Sequence, residues 1–207
     1  MKRSGWFSIV CLVGMTVFSF AEKATAQELL ALGAALPHPE LQMTDAVSGQ
    51  KHSLEGAMME NGLLVMFSCN TCPYVLAWED RYDDIAAACK ANKVGFIVLN
   101  PNEASRADAE SPEAMVERAK EGAYTFPYVV DANHKMADAF GATRTPELFL
   151  FGADSKLKYT GAIDDNRNAS GVTQQFILNA INNMVAGKPV DPASTKSIGC
   201  TIKRTQS

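Results

Sequence analysis

The chain has 207 residues, of which 47% are hydrophobic and 20% are charged. This balance is typical of a globular domain and excludes a disordered chain, a collagen-like repeat and a coiled coil. Residues 1–26 hold three of the 19 basic and one of the 23 acidic residues, so the remaining chain has 16 basic and 22 acidic residues, a formal charge of −6 that argues against nucleic acid as a partner.

The first 26 residues have the pattern of a secretory signal peptide. Lys2 and Arg3 give a positive start, residues 4–21 carry no charge, and small residues occupy positions 24–26. The alternative, an uncleaved membrane anchor, requires about 20 apolar residues, and polar residues interrupt this stretch. We therefore expect cleavage after residue 26, a periplasmic or otherwise exported protein, and no membrane attachment of the mature chain.

The mature chain alternates apolar runs with amphipathic segments. Alternating or continuous apolar runs predict strands at 41–45 and 50–54 as a hairpin, 63–67, 94–99, 128–130, and a second hairpin at 147–151 and 157–160. Apolar residues spaced by three and four predict helices at 73–91, 111–121, 133–140 and 172–186. This order predicts an α/β domain at 27–186, with a central mixed sheet flanked by helices, and a C-terminal tail at 187–207.

Cys69 and Cys72 form a Cys-x-x-Cys motif between a predicted strand and a predicted helix that begins at Pro73. Backbone N–H groups and the helix dipole stabilise a thiolate there, and lowering a cysteine pKa from about 8.5 to about 7 requires roughly 2 kcal/mol. We expect Cys69, as the more exposed sulfur, to attack a partner disulfide and Cys72 to release the product. A static disulfide or half of a metal site are the alternatives.

Several separated segments resemble one known family. They read Phe-Ser-Cys-Asn-Thr-Cys-Pro-Tyr at 67–74, Thr-Pro-Glu-Leu-Phe-Leu-Phe at 145–151, Gly-Ala-Ile-Asp-Asp at 161–165 and Ile-Gly-Cys-Thr-Ile-Lys at 198–203. In this order they are similar to thioredoxin-like proteins of the redoxin class, of the alkyl hydroperoxide reductase and thiol-specific antioxidant type. The nearest resemblance is to a peroxiredoxin-like subgroup that carries Cys-x-x-Cys.

This resemblance implies a thioredoxin fold, and we expect no bound organic cofactor. It also implies that Pro146 is a cis-proline facing the two sulfurs, although an X-Pro bond is usually trans. Thr145 and Pro146 are then the substrate-docking pair beside Cys69 and Cys72. The partners implied are protein thiols or disulfides and an electron-donor protein.

The resemblance offers an alternative activity, the reduction of peroxides by Cys72. Peroxiredoxins carry Pro-x-x-x-Thr-x-x-Cys and an assisting arginine, but this chain has Val65 and Cys69 at the Pro and Thr positions. Arg144 is close to the arginine position but displaced from it. We therefore predict that disulfide exchange, which needs only the two sulfurs, is the principal activity.

Two further cysteines remain in the mature chain. Cys89 lies on the apolar face of the predicted helix, where a free cysteine is usually a small buried hydrophobe. The resemblance includes Cys200, which could be a third redox thiol or could form a structural bridge to Cys89. Cys200 or a histidine could also complete a copper or zinc site with the motif, but no histidine has metal-ligand spacing, so we predict no metal site.

Overall fold

The computed structural model of the protein describes residues 28–205. The predicted signal peptide at 1–26 and the last two residues of the predicted tail lie outside the described residues. Within residues 28–205, no helix has the length and apolar character needed to cross a membrane.

A seven-stranded mixed sheet forms the centre of the molecule, as predicted. Its strands lie in the order β2-β1-β5-β4-β3-β7-β8, and a separate small sheet pairs β6 with β9. Within the large sheet, β3 and β5 are each parallel to β4, whereas the other pairs are antiparallel. The strands are β1 Met43–Asp45, β2 Lys51–His52, β3 Gly62–Phe67, β4 Gly95–Asn100, β5 Tyr128–Val130, β6 Arg144–Thr145, β7 Glu147–Gly152, β8 Leu157–Gly161 and β9 Cys200–Thr201.

Strand β3 lies between β4 and β7 and is buried along its whole length. Successive side chains of a strand point to opposite faces, so its uninterrupted apolar sequence supplies two cores. Leu64 and Met66 pack on one face, with residues of α3, α4 and α6, while Val65 and Phe67 pack on the other, with residues of α5. The helices are α1 Leu54–Ala57, α2 Pro73–Trp78, α3 Tyr82–Ala91, α4 Pro112–Glu121, α5 Lys135–Phe140 and α6 Phe176–Val185.

The predicted single helix at 73–91 is wrong, because the structure divides it into α2 and α3. A 3-10 turn at Glu79–Arg81 separates them. The Arg81 guanidinium donates to the Ala77 carbonyl at 2.6 Å and lies 3.2 Å from an Asp164 oxygen, and the Trp78 indole N–H donates to Asp164 at 2.6 Å. These contacts with a distant loop determine the path of the chain between the two helices.

Other predicted boundaries also differ from the structure, and two of these differences have a clear cause in local contacts. The second strand of the hairpin ends at His52, because the Ser53 hydroxyl accepts the Gly56 N–H at 3.0 Å and begins α1. Helix α6 begins at Phe176 rather than at 172, because the Asp165 carboxylate accepts the N–H groups of residues 173 and 174 and holds them outside the helix.

The predicted tail packs against the rest of the domain on both sides of Cys200. Before it, the Thr195 N–H donates to the Thr160 carbonyl of β8 at 3.0 Å. After it, Ile202 is buried and Arg204 lies 2.8 Å from an Asp138 oxygen of α5. These two attachments hold the segment between them across one end of the sheet.

Asp131 is expected to make the free energy of unfolding fall as the pH rises from roughly 4 to 6. This buried carboxylate accepts the N–H groups of Met136 and Ala137 at 2.8 and 2.9 Å. Burial nevertheless raises its pKa from the ordinary 3.8 to about 6. The folded protein therefore binds the proton more tightly than the unfolded chain, and its ionisation lowers the stability by up to about 3 kcal/mol.

Urea unfolding of the wild-type protein and of Asp131→Asn, measured across this pH range, tests the expectation. The decline due to residue 131 should be present in the wild-type protein and absent from the variant. Equal pH dependence of the two proteins would contradict the assignment.

Candidate active site

Cys69 and Cys72 lie where the buried strand β3 ends and α2 begins. Cys72 occupies the N-cap position of α2, and Pro73 is the first residue of that helix. Proline suits this position because its missing N–H has no partner within the helix. The strand–motif–helix arrangement is the one that the sequence predicts.

Cys72 forms a disulfide with Cys200, and the Cα atoms of the two residues are 6.0 Å apart. The alternative bridge between Cys200 and Cys89 is not formed, since Cys89 is a free, buried thiol. Cys69 is also free and buried. The tail cysteine is therefore bonded to one member of the Cys-x-x-Cys motif, while the other member keeps its thiol.

A small antiparallel sheet brings Cys200 to this position. Strand β9 pairs with β6 so that Cys200 lies opposite Thr145 and Thr201 lies opposite Arg144. The Arg144 guanidinium donates to the Gly199 carbonyl at 3.0 Å. Gly199 approaches β6 so closely that a Cβ atom there would overlap the Thr145 carbonyl oxygen.

Thr145 contacts both sulfurs of the motif. Its hydroxyl lies 3.1 Å from Cys69 Sγ, and its carbonyl oxygen lies 3.4 Å from Cys72 Sγ. The Thr145–Pro146 peptide bond is cis, as the resemblance implies. The two residues predicted for substrate docking therefore lie beside the sulfurs, but the chain's own tail is paired with Thr145.

The expectation that Cys69 is the more exposed sulfur is wrong, because both sulfurs of the motif are buried. Cys69 is 1% exposed and Cys72 is 4% exposed. Burial raises the pKa of the Cys69 thiol to about 11, and the charge of Glu110 adds to this, although the Thr145 hydroxyl and the backbone of Cys72 and Thr71 act in the opposite direction. The helix-start amides that the sequence argument invoked do act on this sulfur, but removal from water outweighs them.

Sequence reasoning missed Glu110, which is fully buried beneath the motif. Its carboxylate accepts the Asn70 N–H at 2.8 Å and the Thr71 hydroxyl at 3.1 Å. Glu110 is one of several acidic residues in the segment 103–113, and nothing local distinguishes it from the others. Its burial and its hydrogen bonds to Asn70 and Thr71 show that it belongs to this site.

Among residues 28–205, no group of three or more His, Cys, Asp or Glu side chains is arranged so that it could hold a metal ion. Cys72 and Cys200, two of the soft ligands considered from the sequence, are bonded to each other.

Two solved bacterial structures share both the fold and a substantial part of the sequence. An uncharacterized conserved protein from Geobacillus kaustophilus is 33% identical, with a TM-score of 0.78 over 86% of this chain and 94% of that one. A hypothetical protein from Sinorhizobium meliloti is 30% identical, with a TM-score of 0.78 over 87% of this chain and 98% of that one.

A secreted Mycobacterium tuberculosis disulfide oxidoreductase, described as homologous to Escherichia coli DsbE, is a more distant structural neighbour. It is 16% identical, with a TM-score of 0.52 over 72% of this chain and 97% of that one, so the likeness shows a shared thioredoxin-like fold. No curated protein sequence matches this chain.

The redoxin family model matches residues 31–176, which include β1 to β8, both cysteines of the motif and the cis-proline. This match covers more than half of the chain, and the two structures at 30% identity or above cover most of it. The chain therefore belongs to the redoxin family and has its thioredoxin-like fold.

Proposed function

We propose that the protein is an exported thiol-disulfide oxidoreductase that exchanges disulfides with protein partners through Cys69 and Cys72, with Cys200 as a third redox thiol. One observation carries this proposal. The Cys72–Cys200 disulfide and the free Cys69 thiol lie against the same residue, Thr145. Three sulfurs so arranged can pass one disulfide between them.

The internal step is a thiol-disulfide exchange in which Cys69 attacks Cys72. Cys69 loses its proton, a Cys69–Cys72 bond forms and the Cys72–Cys200 bond breaks. Cys200 leaves as a thiolate and takes up a proton, so that no net oxidation or reduction occurs. Because Cys69 is buried, an internal disulfide fits it better as a reaction partner than an external one does.

The external step oxidises or reduces a partner protein. A partner dithiol that attacks the Cys69–Cys72 disulfide becomes a disulfide, and both cysteines of the motif return to thiols. In the opposite direction, a partner disulfide is reduced by the motif, and a donor protein dithiol supplies the two electrons. Partners of either kind reach β6 only after β9 has left it, since the tail strand is paired there.

A glutathione redox titration with the disulfides mapped by mass spectrometry tests this proposal. In the wild-type protein we expect a reversible Cys72–Cys200 bridge. In Cys200→Ser, we expect a Cys69–Cys72 bridge instead, because Cys72 then has only one thiol partner at the site. If Cys72 forms no reversible bridge in either protein, the exchange mechanism is excluded.

A thiol peroxidase is the second candidate, and the Cys72–Cys200 bond favours it. Cys72 thiolate would attack a peroxide, an alcohol or water would leave, and the resulting sulfenic acid would condense with Cys200 to a disulfide and water. However, Arg144, which lies near the position of the assisting arginine of peroxiredoxins, donates its guanidinium N–H to the Gly199 carbonyl. It is therefore engaged with the tail rather than with a peroxide. If Cys69→Ser still consumes peroxide, the peroxidase is supported. If Cys69→Ser neither consumes peroxide nor exchanges disulfides, the oxidoreductase is supported.

Export is part of the proposal and rests on the charge and apolar pattern of residues 1–26. Amino-terminal sequencing of the protein recovered from the cell envelope fraction tests it. We expect the mature chain to start at residue 27.

A further inference from the structure

The carboxylate of Glu110 lies at the centre of a buried polar network. One oxygen accepts the Asn70 backbone N–H at 2.8 Å and the Asn100 amide at 2.7 Å. The other accepts the Thr71 hydroxyl at 3.1 Å and lies 3.5 Å from the Asn102 amide nitrogen. Because all four partners are donors, the arrangement fits an ionised carboxylate.

Within the part of the chain that the structure describes, no cation compensates this charge directly. Among residues 28–205, no lysine, arginine or histidine forms an ion pair with Glu110. Arg106, the arginine that contacts this residue, donates to its main-chain carbonyl at 2.5 Å and forms its ion pair with Glu103. A buried carboxylate without a cation costs stability that an amide or an apolar side chain would not, which makes Glu110 a candidate for a role beyond stability.

The network connects Glu110 to the two residues that separate the motif cysteines. Besides its backbone N–H, Asn70 contributes its side chain, which donates to the Ala109 carbonyl at 2.9 Å and accepts the Tyr128 hydroxyl at 2.9 Å. Thr71 is held by its hydroxyl, as described above. The Glu110 carboxylate therefore contacts both residues of the loop between the sulfurs, and the Asn70 side chain adds two further attachments.

The charge of this carboxylate also acts on its titratable neighbours. It adds to the effect of burial in raising the pKa of Cys69 to about 11, and it contributes in the same direction at Tyr128. The remaining charged group of the network is Arg106, whose guanidinium contacts main-chain oxygens of Glu110 and Asn100. Glu110 thus acts on Cys69 through position and through charge.

We propose that Glu110 is the positioning residue of the redox centre: its carboxylate fixes the loop between Cys69 and Cys72 and places a negative charge against the backbone N–H that follows Cys69 while Cys72 carries the disulfide. The consequence for catalysis rests on the proposed function, because it assigns an order to the sulfurs of that reaction. The effect on Cys69 ionisation does not, and it can be measured whether or not the protein exchanges disulfides.

The test uses the full chain with Cys89→Ala and with Cys11, the cysteine of the predicted signal peptide, replaced by serine (Cys11→Ser), oxidised so that Cys72 and Cys200 are bonded. Cys69 is then the sole free thiol of the five cysteines. The ¹³Cβ chemical shift of labelled Cys69, followed by NMR against pH, reports the ionisation of that sulfur without depending on reagent access. In parallel, each variant is reduced so that Cys72 and Cys200 are no longer bonded, and its rate of insulin reduction is measured as the rate of disulfide exchange.

Glu110→Gln keeps the size and most of the hydrogen-bonding capacity of the side chain but removes its charge. In this variant we expect the midpoint pH of Cys69 ionisation to move toward neutrality by about one pH unit. Asp131→Asn is the matched control. It neutralises another buried carboxylate, one that is not among the groups that act on Cys69, and should leave the midpoint unchanged. An unchanged midpoint in Glu110→Gln would overturn the proposal.

A second variant covers the case in which Glu110→Gln does not fold. Thr71→Val removes one donor to the carboxylate from an exposed position and keeps the charge. We expect the Cys69 midpoint to rise by a few tenths of a pH unit, the opposite direction to Glu110→Gln. A fall would contradict the inference. Shifted midpoints without any insulin reduction would refute the proposed function and leave the action of Glu110 on Cys69 standing.

Discussion

Replacement of Cys72 with serine is expected to reduce disulfide exchange with a protein substrate by a factor on the order of a thousand or more. Cys72 is the sulfur shared by both disulfides of the proposed cycle, the observed bond to Cys200 and the bond that Cys69 would form. A serine hydroxyl can form neither bond. The reduction of insulin disulfides under a constant supply of dithiol measures this loss.

Two matched variants serve as controls for the loss of exchange in Cys72→Ser. One removes a cysteine thiol outside the motif, and the other removes the same disulfide bridge. Cys89→Ala removes a buried free thiol of α3 and should retain the exchange rate within about twofold. Cys200→Ser loses the same bridge as Cys72→Ser. That bridge joins residues 128 positions apart, so either variant should be less stable by about 2 to 5 kcal/mol than the oxidised wild-type protein.

The exchange rates of Cys72→Ser and Cys200→Ser then decide between two roles for Cys69. If Cys200→Ser keeps measurable exchange while Cys72→Ser has none, Cys69 and Cys72 form a working pair. If both variants are equally inactive, exchange requires both Cys72 and Cys200, and Cys69 and Cys72 do not exchange as a pair by themselves.

Replacement of Gly199 with alanine is expected to shift the internal disulfide from Cys72–Cys200 toward Cys69–Cys72. A Cβ atom at residue 199 would overlap the Thr145 carbonyl oxygen, and both the carbonyl and Gly199 belong to backbones that are paired through β6 and β9. Displacing the tail by this overlap should cost about 1 to 3 kcal/mol, which changes the ratio of the two bridges by a factor of about 5 to 150.

Disulfide mapping at a fixed glutathione potential measures this ratio. Ile198→Ala is the control, because Ile198 is 50% exposed and its truncation leaves the path of the tail unchanged. Equal ratios in Gly199→Ala and the wild-type protein would mean that the close approach of β9 to β6 is not what directs Cys200 to Cys72.

Much of the fold follows from local signals. Strands β3 and β7 are uninterrupted apolar runs, and each was predicted to within a residue. Helix α4 begins where Ser111 and Pro112 predict, with the Ser111 hydroxyl accepting the Ala114 N–H at 3.2 Å. By contrast, the break between α2 and α3 depends on Asp164, a residue far along the chain, and no local pattern reports that contact.

The sequence by itself determined the placement of Cys69 and Cys72 between a buried strand and a helix start, because cysteine spacing and apolar periodicity are local properties. The redoxin family and the thioredoxin-like architecture came from the resemblance of several separated segments to that family. Only the tertiary structure decided which cysteines are bonded, since contacts of the tail on both sides of Cys200 place it 6.0 Å, Cα to Cα, from Cys72. It also decided the acidity of Cys69. Burial and the charge of Glu110 come from segments distant in the chain, and together they outweigh the effect of the helix start.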